Sequence, residues 1–77
     1  MYPYDSEITT RDAAKLLGRT HVVIRKWVSR YNVPSLGRTR QREALWDYRI
    51  LAEVDRAIRQ ARPVPTDWTE FVRHLVA

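Results

Sequence analysis

Three residues, Gly18, Arg19 and Thr20, separate two amphipathic segments, and that short interval constrains the fold more than any other feature of the chain. The first segment, "ITTRDAAKLLG", offers Thr9 and Thr10 as helix N-cap residues, and Thr9-x-x-Asp12 has the spacing of a capping box. Ala13, Ala14, Leu16 and Leu17 supply its apolar face, with Ile8 placed to staple the chain where it enters the helix. Gly18 stops the helix, because the position just past a helix C-terminus often takes a positive φ. Thr20 then caps a second helix in "HVVIRKWVSRY". There Ile24, Trp27, Val28 and Tyr31 recur at i, i+3, i+4 and i+7 and share one buried face. His21, Val22, Arg25, Lys26 and Ser29 occupy the opposite face, with Arg30 near its border. Asn32 and Pro34 end the helix. Two short helices joined by so few residues, the second basic on its outer face, make a helix-turn-helix.

The text changes character from Val33 to Trp46, where "VPSLGRTRQREALW" has no helical period. A short β-hairpin with a basic tip is expected. Arg38, Arg40 and Arg42 alternate, so an extended ribbon would point them the same way. No Asn-Gly or Asp-Gly turn sets the register. Asp47 can cap a third helix, "YRILAEVDRAIRQA", with Leu51, Val54, Ile58 and Ala61 as its stripe. Its arginines, Arg49, Arg56, Arg59 and Arg62, have Glu53 and Asp55 near them for pairing along the helix. Pro63 and Pro65 break it. A last helix is expected in "DWTEFVRHLVA", with an Asp67-x-x-Glu70 capping box and an apolar stripe of Trp68, Phe71, Val72, Leu75 and Val76. So short a helix is marginal alone, so it should dock on its own domain or on a partner, and docking back is favoured. Trp27 and Trp46 read as core. The expected fold is mainly α with a small β-hairpin wing, a winged helix-turn-helix of three to four helices. Residues 1–8 form an N-terminal arm, 9–62 the domain, and 63–77 a proline-containing linker with an amphipathic helix.

The charge of the chain is uneven. Between Arg19 and Arg42 there are seven cations and no carboxylate, a net +7. The remainder holds seven cations and nine carboxylates, a net −2, which leaves +5 for the whole. A patch this local is the footprint of a polyanionic partner rather than of general solubility. At 77 residues the chain supports one domain with a modest core, too small for an enzyme with a deep cleft. It has no cysteine, so disulfides and thiolate metal sites are excluded. His21 and His74 stand 53 positions apart with no carboxylate at ligand spacing, so neither a metal site nor a cofactor is expected. No carboxylate cluster or nucleophile–base pair points to catalysis. No run approaches the roughly 20 apolar residues of a membrane span, and "MYPYDSEITT" is no secretory signal. The expectation is a soluble intracellular protein.

Double-stranded DNA fits this pattern. A helix about 10–12 Å wide fits a major groove about 12 Å wide. Thr20 starts the helix whose free N–H groups can face phosphate. Arg25 and Lys26 can reach base edges or backbone, and arginine prefers the O6 and N7 of guanine. The candidate contact set is Arg19, Thr20, His21, Val22, Arg25, Lys26, Ser29, Arg30, Arg38, Arg40 and Arg42. The three wing arginines are long enough to enter an adjacent minor groove, where A·T-rich segments concentrate negative potential. His21 is either a groove-facing donor or a surface residue.

"ITTRDAAKLLGRTHVVIRKWVSRY" resembles the MerR-like winged helix-turn-helix, through Thr10, Ala13, Ala14, Ile24, Arg25 and Trp27. "ALWDYRILAEVDRAIR" is similar to the return strand of such a wing and the helix after it, so the resemblance covers residues 8 to 60. Full MerR regulators add a long dimerising helix and an effector domain, and this chain ends before either. Proteins with this module alone look like phage excisionases, also called recombination directionality factors. That resemblance implies a cytoplasmic protein of the bacterial host that binds repeated sites, bends the DNA, and helps integrase excise a prophage; if the last helix meets a partner instead of its own domain, the partner is a second copy along the DNA or integrase. Two other readings stand beside it. One is a small transcriptional regulator acting at a single operator. The other is a protein-interaction adaptor whose basic face meets an acidic partner.

Overall fold

The structure, a computed structural model, describes residues 7–76, with side chains described up to His74. Seven elements follow in order: β1 (Glu7–Thr9), α1 (Thr10–Leu17), α2 (His21–Arg30), β2 (Gly37–Arg38), β3 (Ala44–Asp47), α3 (Tyr48–Arg59) and α4 (Thr69–Val76). The fold is helix-rich with a small antiparallel sheet of order β1-β3-β2.

Local chemistry sets the helix ends. Thr9 Oγ1 accepts from the Asp12 N–H at 3.2 Å and caps α1. Gly18 takes a left-handed φ of 67° and returns its N–H to the Ala14 and Lys15 carbonyls. Thr20 Oγ1 accepts from the Val23 N–H at 3.3 Å and starts α2. Asn32, at φ 58°, turns the chain after α2, a conformation asparagine tolerates better than most side chains. Asp47 closes β3 and caps α3 in one step, accepting from the Arg49 N–H at 2.9 Å. The Arg49 guanidinium also grips the Asp47 carboxylate, through Nε at 3.0 Å and Nη2 at 2.8 Å, so this buried acid is fully partnered.

The third strand was not expected. Glu7 and Ile8 are not part of a loose arm: β1 pairs with β3 in the register Glu7↔Asp47, Ile8↔Trp46 and Thr9↔Leu45. Three residues are too few for a period-two signal, and the partner strand lies far along the chain. Tyr2, Pro3 and Tyr4, read as part of that arm, lie outside the described residues. The pairing sets α1 against the hairpin, and Trp46 Nε1 donates to Thr10 Oγ1 at 2.9 Å across the junction. Trp46 is half-buried there.

The core gathers Ala13 and Ala14 of α1, Ile24 and Trp27 of α2, Val33, and Ile50, Leu51 and Val54 of α3, with Trp68. Each fully buried aliphatic side chain contributes roughly 1.5–3 kcal/mol. Two apolar assignments change. Leu16 is 66% exposed, because α1 is too short to bury more than the alanine face and Leu17. On α3 the stripe is Ile50, Leu51, Val54 and Ala57, while Ile58 is exposed. The helix ends at Arg59, and Ala61 lies beyond it in a left-handed turn at φ 54°. The cap at Asp47 orients this stripe, since β3 delivers the chain to the core at that residue.

The segment after Pro63 joins the same core through Val64, Trp68, Phe71 and Val72. Trp68 is 3% exposed and donates its indole N–H to the Tyr31 carbonyl at 2.9 Å. Phe71 meets it edge-on, centroids 5.4 Å apart. The last helix therefore docks on its own domain. Asp67 accepts from the Thr69 N–H at 3.1 Å, a tighter turn than a capping box with Glu70 would make.

Candidate nucleic-acid interface

The α1–α2 turn leaves one face of α2 in solvent. Thr20, His21, Val22, Arg25, Lys26, Ser29 and Arg30 are all exposed, while Ile24 and Trp27 face inward. This is the division of faces that the apolar period implied.

The wing is built differently from an extended ribbon. β2 is two residues long, so Arg38 alone of the three wing arginines lies in a strand. Thr39 organises the tip. Its Oγ1 accepts from the Gln41 and Glu43 N–H groups, each at 3.2 Å, and its carbonyl accepts from the Arg42 N–H at 2.9 Å. Arg40 sits in that turn and Arg42 takes φ 67°. Arg38 Nη1 donates to the Arg42 carbonyl at 2.9 Å, bracing the turn from the side. A turn, not a pleat, presents these arginines, so the alternation expected of an extended ribbon is absent.

A groove joins the two elements. His21 and Arg25 of α2, Arg38 and Arg42 of the wing, and Thr10 and Arg11 of α1 line it together. Glu43 is its one lining carboxylate, and Arg11 Nη2 holds it at 3.3 Å. A shallower surface continues outward over Val22, Arg25, Lys26, Ser29 and Arg30, with Arg25 common to both. Arg11 did not feature among the candidate residues. Only the β1–β3 pairing brings the start of α1 beside the wing, and no sequence signal announced it.

Arg19 is corrected. Its guanidinium donates from Nε at 2.9 Å and Nη2 at 2.8 Å to Asp55 Oδ1 on α3, and lies 5.6 Å from the Trp27 ring centroid. Asp55 is 3% exposed and takes a second partner, Arg59, at 2.9 Å. Arg19 therefore ties the helix-turn-helix to α3, because a buried carboxylate demands a cation more strongly than solvent does.

The cations fall into two groups. Arg11, Arg19, Arg49, Arg56, Arg59, Arg62 and Arg73 each pair with a carboxylate. Among the described residues no carboxylate stands within ion-pair distance of Arg25, Lys26, Arg30, Arg38, Arg40 or Arg42. Arg30 instead lies over the Tyr31 ring at 5.8 Å. Lys15 on α1 also has no carboxylate partner among the described residues. The carboxylate-free set is thus almost entirely the outer face of α2 and the wing.

Elsewhere the chemistry is sparse. Glu70 stands 3.8 Å from His74, one turn away on α4, so a carboxylate does lie near that histidine. No group of three or more potential metal ligands occurs among the described residues. The Thr69 backbone N–H, with the Thr69 hydroxyl, holds the Asp67 carboxyl below the usual aspartate range. No described helix is long and apolar enough to cross a membrane. Comparison with protein-family models, with curated proteins and with solved structures finds no match.

Proposed function

We propose that the chain binds double-stranded DNA, with α2 in the major groove and the β2–β3 wing reaching the adjacent minor groove. The observation that carries this reading is the partition of cations: among the described residues six on α2 and the wing have no carboxylate partner, while seven arginines, of which only Arg11 lines the groove, are paired within the chain. A protein that needed charge only for solubility would gain nothing from that segregation. A duplex supplies phosphates on both sides of a groove, and releasing their counterions drives binding. Arg25 lines both the inter-element groove and the outer face, which suits a residue reading a base edge. Val22 and Ser29 flank it on the outer face.

The resemblance to MerR-like modules extends the proposal to an excisionase-type protein. Such a protein binds repeated sites, bends the DNA between them and directs integrase toward excision. A transcriptional regulator of the same fold would instead occupy one operator.

Footprinting on the DNA flanking the gene tests both levels. Phased, repeated protection beside an integrase attachment site is expected, whereas one isolated footprint at a promoter favours the regulator. Arg25→Ala should weaken a specific site by about 1–3 kcal/mol while leaving random DNA less affected. Absence of duplex binding at low salt refutes the proposal and turns attention to an acidic protein partner.

A further inference from the structure

Val22 is the one exposed large apolar side chain set among the cations of the α2 outer face. It lies in the first turn of α2 and is 59% exposed, so the core does not need it. A β-branched residue is also a poor choice for an exposed helical position. Its neighbours on the same shallow surface are Arg25, Lys26, Ser29 and Arg30, so an apolar protein partner would have to desolvate three cations to cover it. The major groove offers an anionic frame and, within it, a single kind of apolar group: the C5 methyl of a pyrimidine.

Resting on the DNA-binding reading above, we infer that Val22 covers the C5 methyl group of a pyrimidine while Arg25 reads the neighbouring guanine. The spacing suits this. Residues three apart rise about 4.5 Å along a helix, and their Cβ atoms lie about 5–6 Å apart. Successive base pairs are about 3.4 Å apart, so the two side chains address adjacent steps. Their lengths suit it as well. Val22 is short and sits at the helix start, where α2 can approach the bases most closely. Arg25 is one turn further back and long enough to span the difference. Thymine and 5-methylcytosine carry the same methyl group, and the contact is assigned to that group.

The test uses the full chain and duplexes selected from a random pool by binding to it. Each thymine beside a guanine is replaced singly by deoxyuridine, which removes the methyl and keeps every hydrogen-bonding group. At one position the wild type should bind about fourfold more weakly, the change expected for one methyl-sized group returned to water. Val22→Ala, which withdraws both γ-carbons from the base, should lose most of the difference between the thymine and uracil duplexes. Its exposed position lets it fold, which a melting curve checks. At the same position, cytosine and 5-methylcytosine are then compared. A gain on methylation that largely disappears in Val22→Ala extends the contact to both bases, and no gain confines it to thymine. The inference is overturned if no thymine methyl matters, or if Val22→Ala loses as much as the wild type. Failure to select any duplex overturns the DNA reading itself, a result distinct from either.

Discussion

Replacing Arg38, Arg40 and Arg42 together with glutamine removes half of the six cations on α2 and the wing that have no carboxylate partner among the described residues. If all six meet phosphate, the slope of log K against log salt should be about −5.4, from roughly −0.9 per neutralised phosphate. The wing triple variant should then show about −2.7. Between 50 and 200 mM salt the wild type should lose affinity by a factor of about 2,000, and the variant by only about 40. Net charge alone could mimic part of this, so the control is isocharged: Arg56→Gln, Arg59→Gln and Arg73→Gln together. Each of these arginines is more than half exposed and already paired, and Glu53 and Asp55 keep Arg62 and Arg19 as partners. The exposed Arg73–Glu70 pair is worth about 1 kcal/mol or less, buried Asp55 keeps Arg19 when Arg59 is removed, and a thermal melt checks that the control is folded. Fluorescence anisotropy of a labelled duplex across a salt series measures all three slopes. The control should keep the wild-type slope. Equal flattening in both triples would show that the response follows total charge rather than the free face. An unchanged slope in the wing triple would remove the wing from the interface.

Three further outcomes separate scaffold from surface. Arg19→Gln should lower the melting temperature and leave the salt slope unchanged, because this arginine is committed to Asp55; the same anisotropy series and a thermal melt decide it. Trp68→Ala should cost about 3–5 kcal/mol in chemical denaturation, most of the stability of a domain this small. Trp68→Phe, which keeps one aromatic ring but leaves the Tyr31 carbonyl without its indole donor, should cost about 1–3 kcal/mol, less than the alanine variant. The Asp67 carboxyl is held low in the folded state by the Thr69 N–H, so its contribution is present above the ordinary aspartate value and lost as pH falls through the depressed one. A carboxyl-detected NMR titration should place Asp67 below a free aspartate, and Asp67→Asn should abolish the acid-side loosening of α4.

Periodicity and capping were enough to place α1, α2, the start of α3 and the exposed face of α2, but not the end of α3 or the start of α4. Thr9, Gly18, Thr20 and Asp47 act within three or four residues of themselves, so their roles can be read from one line of text. The same holds for Ile24 and Trp27 against Arg25 and Lys26, since a helix converts spacing directly into direction. The wing's arginines were identified by type but not by geometry. Thr39 folds the tip into a turn through bonds that no propensity scale isolates.

What the sequence determined by itself is the division of α2 into an oily side and a cationic side, and the existence of a basic loop after it. What only the tertiary structure decided is which cations remain free. Arg19 and Arg25 are the same residue type six positions apart. One meets buried Asp55 on α3 and the other meets solvent, and that difference depends on how α2 and α3 pack. Likewise β1 joins the sheet and brings Arg11 to the groove only because β3 is there to pair with it. Ion pairing and strand pairing join residues that are distant in the chain, and their energies depend on burial, which a linear text does not contain.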